Sequence, residues 1–284
     1  MVFRGTYSLT NTIVDLSARL QPYVPYTGGG NGTKCSNCTV HAGFMASWEN
    51  ARSTVFPHVL AAQKEHPDYD LVLVGHSLGG AVAALAGLEM QSRGWKPQVT
   101  TFGEPRVGNG PFAEFLDELF GLYGRPTDRG KQLKFRRVTH VDDPVPLLPM
   151  EELGYKMHGG EIYISKSPIP PSITDIHLCD GDQDARCIAA GAGPSASKRF
   201  LGLWPLCNNN ERKCLLSIMK IMNQECCDNA DADDDSDNDG SGSVRSIIPS
   251  RYRIWELLFA HRDYFWRLGF CVPGGDPSRF RSQE

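Results

Sequence analysis

Gly75-His76-Ser77-Leu78-Gly79 has the form G-x-S-x-G and is the strongest chemical signal in the chain. A serine hydroxyl is a weak nucleophile until a neighbouring base takes its proton. The base is usually a histidine held in place by a buried carboxylate. The pentapeptide therefore asks for two partners elsewhere in the chain. It also asks for a particular backbone. The turn forces Ser77 into strained angles with its hydroxyl pointing out of the sheet, and the flanking glycines carry no side chain to clash with the crossing strand and helix. The helix that follows aims free N–H groups and a positive dipole at the nucleophile. The plain alternative is a Gly-rich structural turn with an ordinary serine, and the neighbouring elements argue against it.

Leu71-Val72-Leu73-Val74, just before the pentapeptide, suits a strand covered on both faces. Ala81 to Met90, just after it, is rich in Ala and Leu and reads as a buried helix. Further strands are expected at 98–102, 134–141 and 161–164, with an amphipathic helix at 112–120. Upstream, Val2-Phe3-Arg4 reads as a strand ending at Gly5, and residues 7–40 read as turn-rich and polar. Apolar spacing predicts a helix from Gly43 to His66, kinked at Pro57 and stopped by Pro67. Alternating strands and helices with an elbow serine at a strand-to-helix turn give the expected fold class. It is α/β, an α/β-hydrolase fold with a mostly parallel central sheet and flanking helices.

In that fold the chain order is serine, then acid, then histidine. The 134–141 strand ends in Asp142-Asp143-Pro144, and on spacing alone either aspartate serves; both are also ordinary turn residues before proline. His158, His177 and His261 lie far enough downstream to be the base. Residue by residue, the three stay open.

The chain has 284 residues, 40% hydrophobic, with a net charge of −4. That supports a sizeable core and excludes the basic footprint of a nucleic-acid binder. No apolar run is long enough to cross a bilayer. Nine cysteines, several closely spaced (Cys35/Cys38, Cys179/Cys187, Cys207/Cys214, Cys226/Cys227, with Cys271 alone), read as a disulfide framework from an oxidising compartment. Asn31-Gly32-Thr33 and Asn37-Cys38-Thr39 are glycosylation sequons and fit secretion. Met1-Val2-Phe3-Arg4-Gly5 does not open a signal peptide, so the natural N-terminus is expected to be missing from this chain.

Five blocks carry a resemblance: Phe3-Arg4-Gly5-Thr6, Val40-His41-Ala42-Gly43-Phe44, Gly75 to Gly80, Phe102-Gly103-Glu104-Pro105-Arg106-Val107-Gly108-Asn109, and Arg137 to Pro146. In order and spacing they resemble the class 3 lipase family, which includes fungal triacylglycerol lipases and the related feruloyl esterases. The blocks cover roughly residues 2–165, with a further match near 257–271. The resemblance implies a carboxylic-ester hydrolase with Ser77 as nucleophile, Asp143 as acid and His261 as base. His261 opens a His-x-x-Tyr-Phe pattern; Asp142 falls on a variable position, and His158 and His177 are left structural or at the surface. It implies an oxyanion hole from the N–H of Leu78 and from Thr6. It also implies that the family domain begins before Phe3, that the missing part leaves the sheet with an uncovered edge, and that Cys271 has lost its mate.

By the same resemblance, the segment after Thr6 is a lid. Leu9, Ile13, Leu16 and Leu20 fall on one face of a helix, apolar enough to meet a lipid surface when open. That stripe favours a triacylglycerol lipase over a feruloyl esterase or a soluble short-chain esterase. The opposing reading is an inactive, truncated remnant. The expected substrate is a lipid or other ester at an oil–water interface, with no cofactor, no metal and no nucleic acid. Residues 195–250 read as an insertion in a single domain, with an acidic flexible segment at 228–243. Asp235, Asp237 and Asp239 mimic the start of a calcium loop, but Ser246 replaces the closing Glu.

Overall fold

The structure is a computed structural model that describes residues 1–5, 19–25, 34–122, 133–182, 184–191 and 261–266. Thr6, the lid positions Leu9, Ile13 and Leu16, the 195–250 insertion and Cys207, Cys214, Cys226, Cys227 and Cys271 lie outside the described residues. In chain order the elements are β1 (Val2–Phe3), β2 (Leu20–Pro22), β3 (Thr39–His41), α1 (Ala42–Glu65), β4 (Val72–His76) and α2 (Leu78–Ser92). They continue as β5 (Gln98–Phe102), α3 (Gly110–Phe120), β6 (Phe135–His140), β7 (Glu161–Ile164), β8 (Ile176–Leu178) and a short α4 (Ile188–Gly191).

One sheet has the order β1-β4-β5-β6-β7-β8. All its pairings are parallel except β7 with β8. Parallel strands put their carboxyl ends on one edge, so β4, β5 and β6 deliver their following turns to a common place. Register carries this across the sheet: His76 pairs with Phe102, and Phe102 with Val138. Among the described residues no helix is long and apolar enough to cross a membrane.

α2 is buried from Gly79 through Met90. A helix apolar on every side must be covered on every side, and α2 packs against β4, β5 and α1. α1 starts at an unusual cap: the Nδ1 of His41 accepts from the Gly43 and Phe44 N–H groups at 3.1 and 3.3 Å. It runs unbroken through Pro57 and buries Phe44, Trp48, Phe56 and Val59. α3 is capped by Asn109, whose Oδ1 accepts from Phe112, and ends at the left-handed Gly121.

Two expectations change. Residues 7–40, read as turn-rich, contain β2 and β3, which pair antiparallel with Leu20 opposite His41. Leu20 is therefore on a strand and not on the apolar face of a lid helix; ladder bonding to β3 outweighs its helical spacing. The helix predicted from Ala81 begins at Leu78, because the turn at Ser77 feeds straight into it.

That turn is crowded. Ser77 has φ 58° and ψ −129°, a strained region for a residue with a side chain. A Cβ on Gly75 would lie 2.1 Å from the Gly79 carbonyl oxygen, and one on Gly79 would lie 2.3 Å from that of Phe3. Both neighbours are backbone, which cannot step aside. Away from the sheet, Glu89 joins α2 to α1. It is 7% exposed and accepts from Trp48 Nε1 at 2.9 Å, from Arg52 at 2.7–2.9 Å and from Arg93 at 2.8 Å. Burial would raise its carboxyl, but these donors outweigh burial and hold it below 4.5.

Two outcomes are expected. Gly79→Ala should destabilise the chain by about 3 kcal/mol or more, measured as a lowered urea midpoint, or leave no soluble protein. Glu89→Gln should cost about 2 kcal/mol at neutral pH, since it weakens charge-assisted bonds. The folded carboxyl titrates lower than the unfolded one, so its contribution is present above 4.5 and lost as pH falls through the folded value. The stability gap between parent and variant should therefore narrow on acidification; a gap constant with pH would contradict this account.

Candidate active site

Ser77 sits at the end of β4, 3% exposed. Its N–H donates to the Phe102 carbonyl at 2.9 Å, which locks the turn to β5. Its carbonyl accepts from Gly80 and Ala81 as α2 begins. Leu78 is the first residue of α2, where a helix N–H has no acceptor inside the helix. Gly5 comes against the same turn: a Cβ there would lie 3.1 Å from that of Ser77. Thr6 follows Gly5 and lies outside the described residues.

Asp143 follows β6 and is 2% exposed. Its Oδ1 accepts from the Val145 N–H at 2.9 Å. Its Oδ2 accepts from His261 Nδ1 at 2.8 Å and from the Tyr264 hydroxyl at 2.5 Å. Burial alone would raise the carboxyl; the His261 ring, the Tyr264 hydroxyl and the Val145 N–H outweigh it and hold the group below the usual carboxylate range. Burial and the Asp143 charge push the Tyr264 hydroxyl well above 10, so it stays a donor. Asp142 points elsewhere: it is exposed and accepts from Ser167 Oγ.

The turn after Asp143 is pinned from below. Arg106 donates to the Leu147 and Pro149 carbonyls and pairs with Glu151 at 3.0 Å. This gives the Gly103-Glu104-Pro105-Arg106 block a mechanical role. Gly103 adds a spatial one. A Cβ on it would lie 2.6 Å from His261 Cε1, 2.7 Å from the Tyr264 hydroxyl and 2.8 Å from Asp143 Oδ2. Only glycine leaves room there, and its φ of 56° also favours glycine.

His261 is fully buried. A carboxylate only accepts, so Nδ1 carries the proton and Nε2 keeps the lone pair. Nε2 has no hydrogen-bond partner among the described residues, so it is not bonded to Ser77 Oγ in this structure. Such bonds often form only when substrate is bound. The other two histidines are engaged elsewhere. His158 is buried, with Nδ1 bonded to the Gly159 carbonyl and Nε2 2.9 Å from Glu104 Oε1. His177 Nε2 is 3.1 Å from Ser165 Oγ.

Two contacts at the site escape sequence reasoning. Tyr264 stands in the His-x-x-Tyr-Phe pattern, yet nothing in that pattern tells which group its hydroxyl meets. His76 fills the first variable position of the pentapeptide and lies too early in the chain to be considered as the base. Its Nε2 is 2.7 Å from the His261 carbonyl, and the two rings are 4.5 Å apart. Among the described residues no group of three or more His, Cys, Asp or Glu is arranged to hold a metal.

Among the described residues two of the close cysteine pairs are disulfides, Cys35–Cys38 and Cys179–Cys187.

Residues 1–153 match the family described as lipase (class 3). The chain is 48% identical over 292 aligned positions to Lipase A of Sodiomyces alcalophilus, covering 99% of this chain and 64% of that protein. It is 47% identical to secreted mono- and diacylglycerol lipase 2 of Gibberella zeae, covering 98% of this chain and 64% of that protein. The chain thus spans slightly less than two thirds of the length of these relatives. Among solved structures, Lip2 lipase of Yarrowia lipolytica is similar with a TM-score of 0.59 and 34% identity, over 66% of this chain and 64% of that one. The fold is that of the α/β-hydrolases, and the chain belongs to the class 3 lipase family.

Proposed function

We propose that this chain is a serine carboxylic-ester hydrolase, a lipase acting on acylglycerols through an acyl-enzyme. The observation that carries the reading is the buried Asp143–His261 pair, at 2.8 Å, on the same sheet edge as the strained Ser77 turn. Ser77 Oγ attacks the ester carbonyl while His261 Nε2 takes its proton. Asp143 keeps the imidazole in the tautomer with Nδ1–H and stabilises the imidazolium. The proton then passes to the leaving alkoxide, and the alcohol departs. Water, activated by His261, attacks the acyl-enzyme and releases the acid. The Leu78 N–H and Thr6 hold the oxyanion, whose charge develops beside the start of α2.

The substrate class rests on kinship. Relatives named as mono- and diacylglycerol lipases support partial glycerides as substrates. The apolar positions Leu9, Ile13 and Leu16 supply a lid that opens at a lipid surface. Secretion is the localisation we propose; the disulfides among the described residues and a relative named as a secreted lipase support it.

Hydrolysis rate should rise sharply once tributyrin passes its solubility limit and droplets form. A smooth saturating curve through that limit would remove the interfacial lid from the account and leave an esterase. Ser77→Ala should abolish both hydrolysis and labelling by a fluorophosphonate probe. Asp143→Asn should keep the fold and lower kcat by about ten-thousand-fold, because the wrong tautomer of His261 is then held; a variant within tenfold of the parent would exclude Asp143 as the acid.

A further inference from the structure

We propose that His76 is a positioning residue for the hydrolytic reaction, holding the His261 segment onto the nucleophile turn through one donated hydrogen bond. This rests on the hydrolase reading above and names a part of that site the triad does not include.

His76 is the last residue of β4, covalently joined to Ser77. His261 is 185 residues away in the chain. The two meet twice. His76 Nε2 lies 2.7 Å from the His261 carbonyl oxygen. A carbonyl only accepts, so Nε2 carries the hydrogen and donates it. The rings also face each other at 4.5 Å with a 37° tilt.

The need for such a contact follows from geometry. Asp143 grips His261 only at the ring, through Nδ1. That bond and the Tyr264 hydroxyl on the same Asp143 oxygen hold side-chain atoms only, so neither fixes the His261 backbone directly, and Nε2 moves with that backbone. A second bond, at the backbone carbonyl, does so. Its donor is the residue next to the nucleophile, so base and nucleophile share one reference point. A shift of about 1 Å in such a site costs about a hundredfold in rate.

The charge state suits the task. Burial first, and the nearby His261 second, push His76 down to about 4. Asp143 and Arg262 also act on it, in opposite directions, and Tyr264 meets its ring edge-on at 6.2 Å. A neutral His76 donates its hydrogen bond without opposing the positive charge that His261 acquires during catalysis.

The test uses the full chain and soluble p-nitrophenyl butyrate, which avoids any interface. His76→Phe keeps a ring of similar shape and removes the donor; His76→Gln keeps a donor at the same reach and removes the ring. The expected result is a kcat lowered about 10- to 100-fold in His76→Phe, with KM within about twofold and near-UV circular dichroism unchanged. His76→Gln should recover most of that loss. A His76→Phe variant as fast as the parent, or a His76→Gln variant as slow as His76→Phe, would overturn the proposal, since ring packing alone would then explain the contact. If His76→Phe does not fold, the pair His76→Gln and His76→Met makes the same comparison, because Met has the length of Gln without the donor. A folded parent that neither hydrolyses the ester nor takes the fluorophosphonate at Ser77 would overturn the hydrolase reading itself, an outcome separate from any difference among the His76 variants.

Discussion

Three backbones meet at the turn around Ser77 within distances that only hydrogen atoms can fill. Phe3 of β1 touches Gly79 of α2, and Gly79 touches Gly75 of β4. That approach sets the angle at which the helix leaves the strand. It drives Ser77 into a backbone conformation of φ 58° and ψ −129°. Such a conformation costs of order 1–3 kcal/mol and persists only where its surroundings over-determine it. Here β5 supplies part of the hold through the Phe102 carbonyl, and α2 supplies more by burying most of its length. The strain at one residue is thus balanced by the packing of a whole helix.

The second dependence is electrostatic. Asp143 is a buried carboxylate, and a buried charge is tolerated only when its oxygens are satisfied. Three donors do this, each from a different place: Val145 from its own turn, His261 by its ring and Tyr264 by its hydroxyl. Gly103 leaves the space in which they converge. The same principle recurs between two strands of the sheet. Arg137 and Thr139 of β6 both bond Glu161 of β7, so neighbouring strands share one buried acceptor. These bonds give the sheet a specific register where apolar packing alone would permit sliding.

Much of the scaffold was legible because its signals are local. The apolar run at 71–74, the Ala-rich stretch from Ala81 and the strands near 98–102, 135–140 and 161–164 are periodicities, and periodicity is a property of adjacent residues. The β2–β3 ribbon was not legible. Strands of three residues leave no period to read, and Leu20 matched a helical spacing by coincidence while pairing with His41.

Ser77 could be singled out from sequence because its turn demands glycine on both sides, a steric requirement written within five residues. The choice between Asp142 and Asp143, or among His158, His177 and His261, is not local. It depends on which side chain the end of β6 turns inward and on which histidine the fold returns to that edge. Asp143 meets His261 across 118 residues, while His158 is held by Glu104 and His177 by Ser165. Chemistry of residue types and their spacing therefore determined the Ser77 turn and the fold class. Family likeness supplied names for the partners. The pairing itself, together with Tyr264 on Asp143 and His76 on His261, belongs to the tertiary structure, because hydrogen bonds between distant segments form only where sheet register and buried packing bring those segments together.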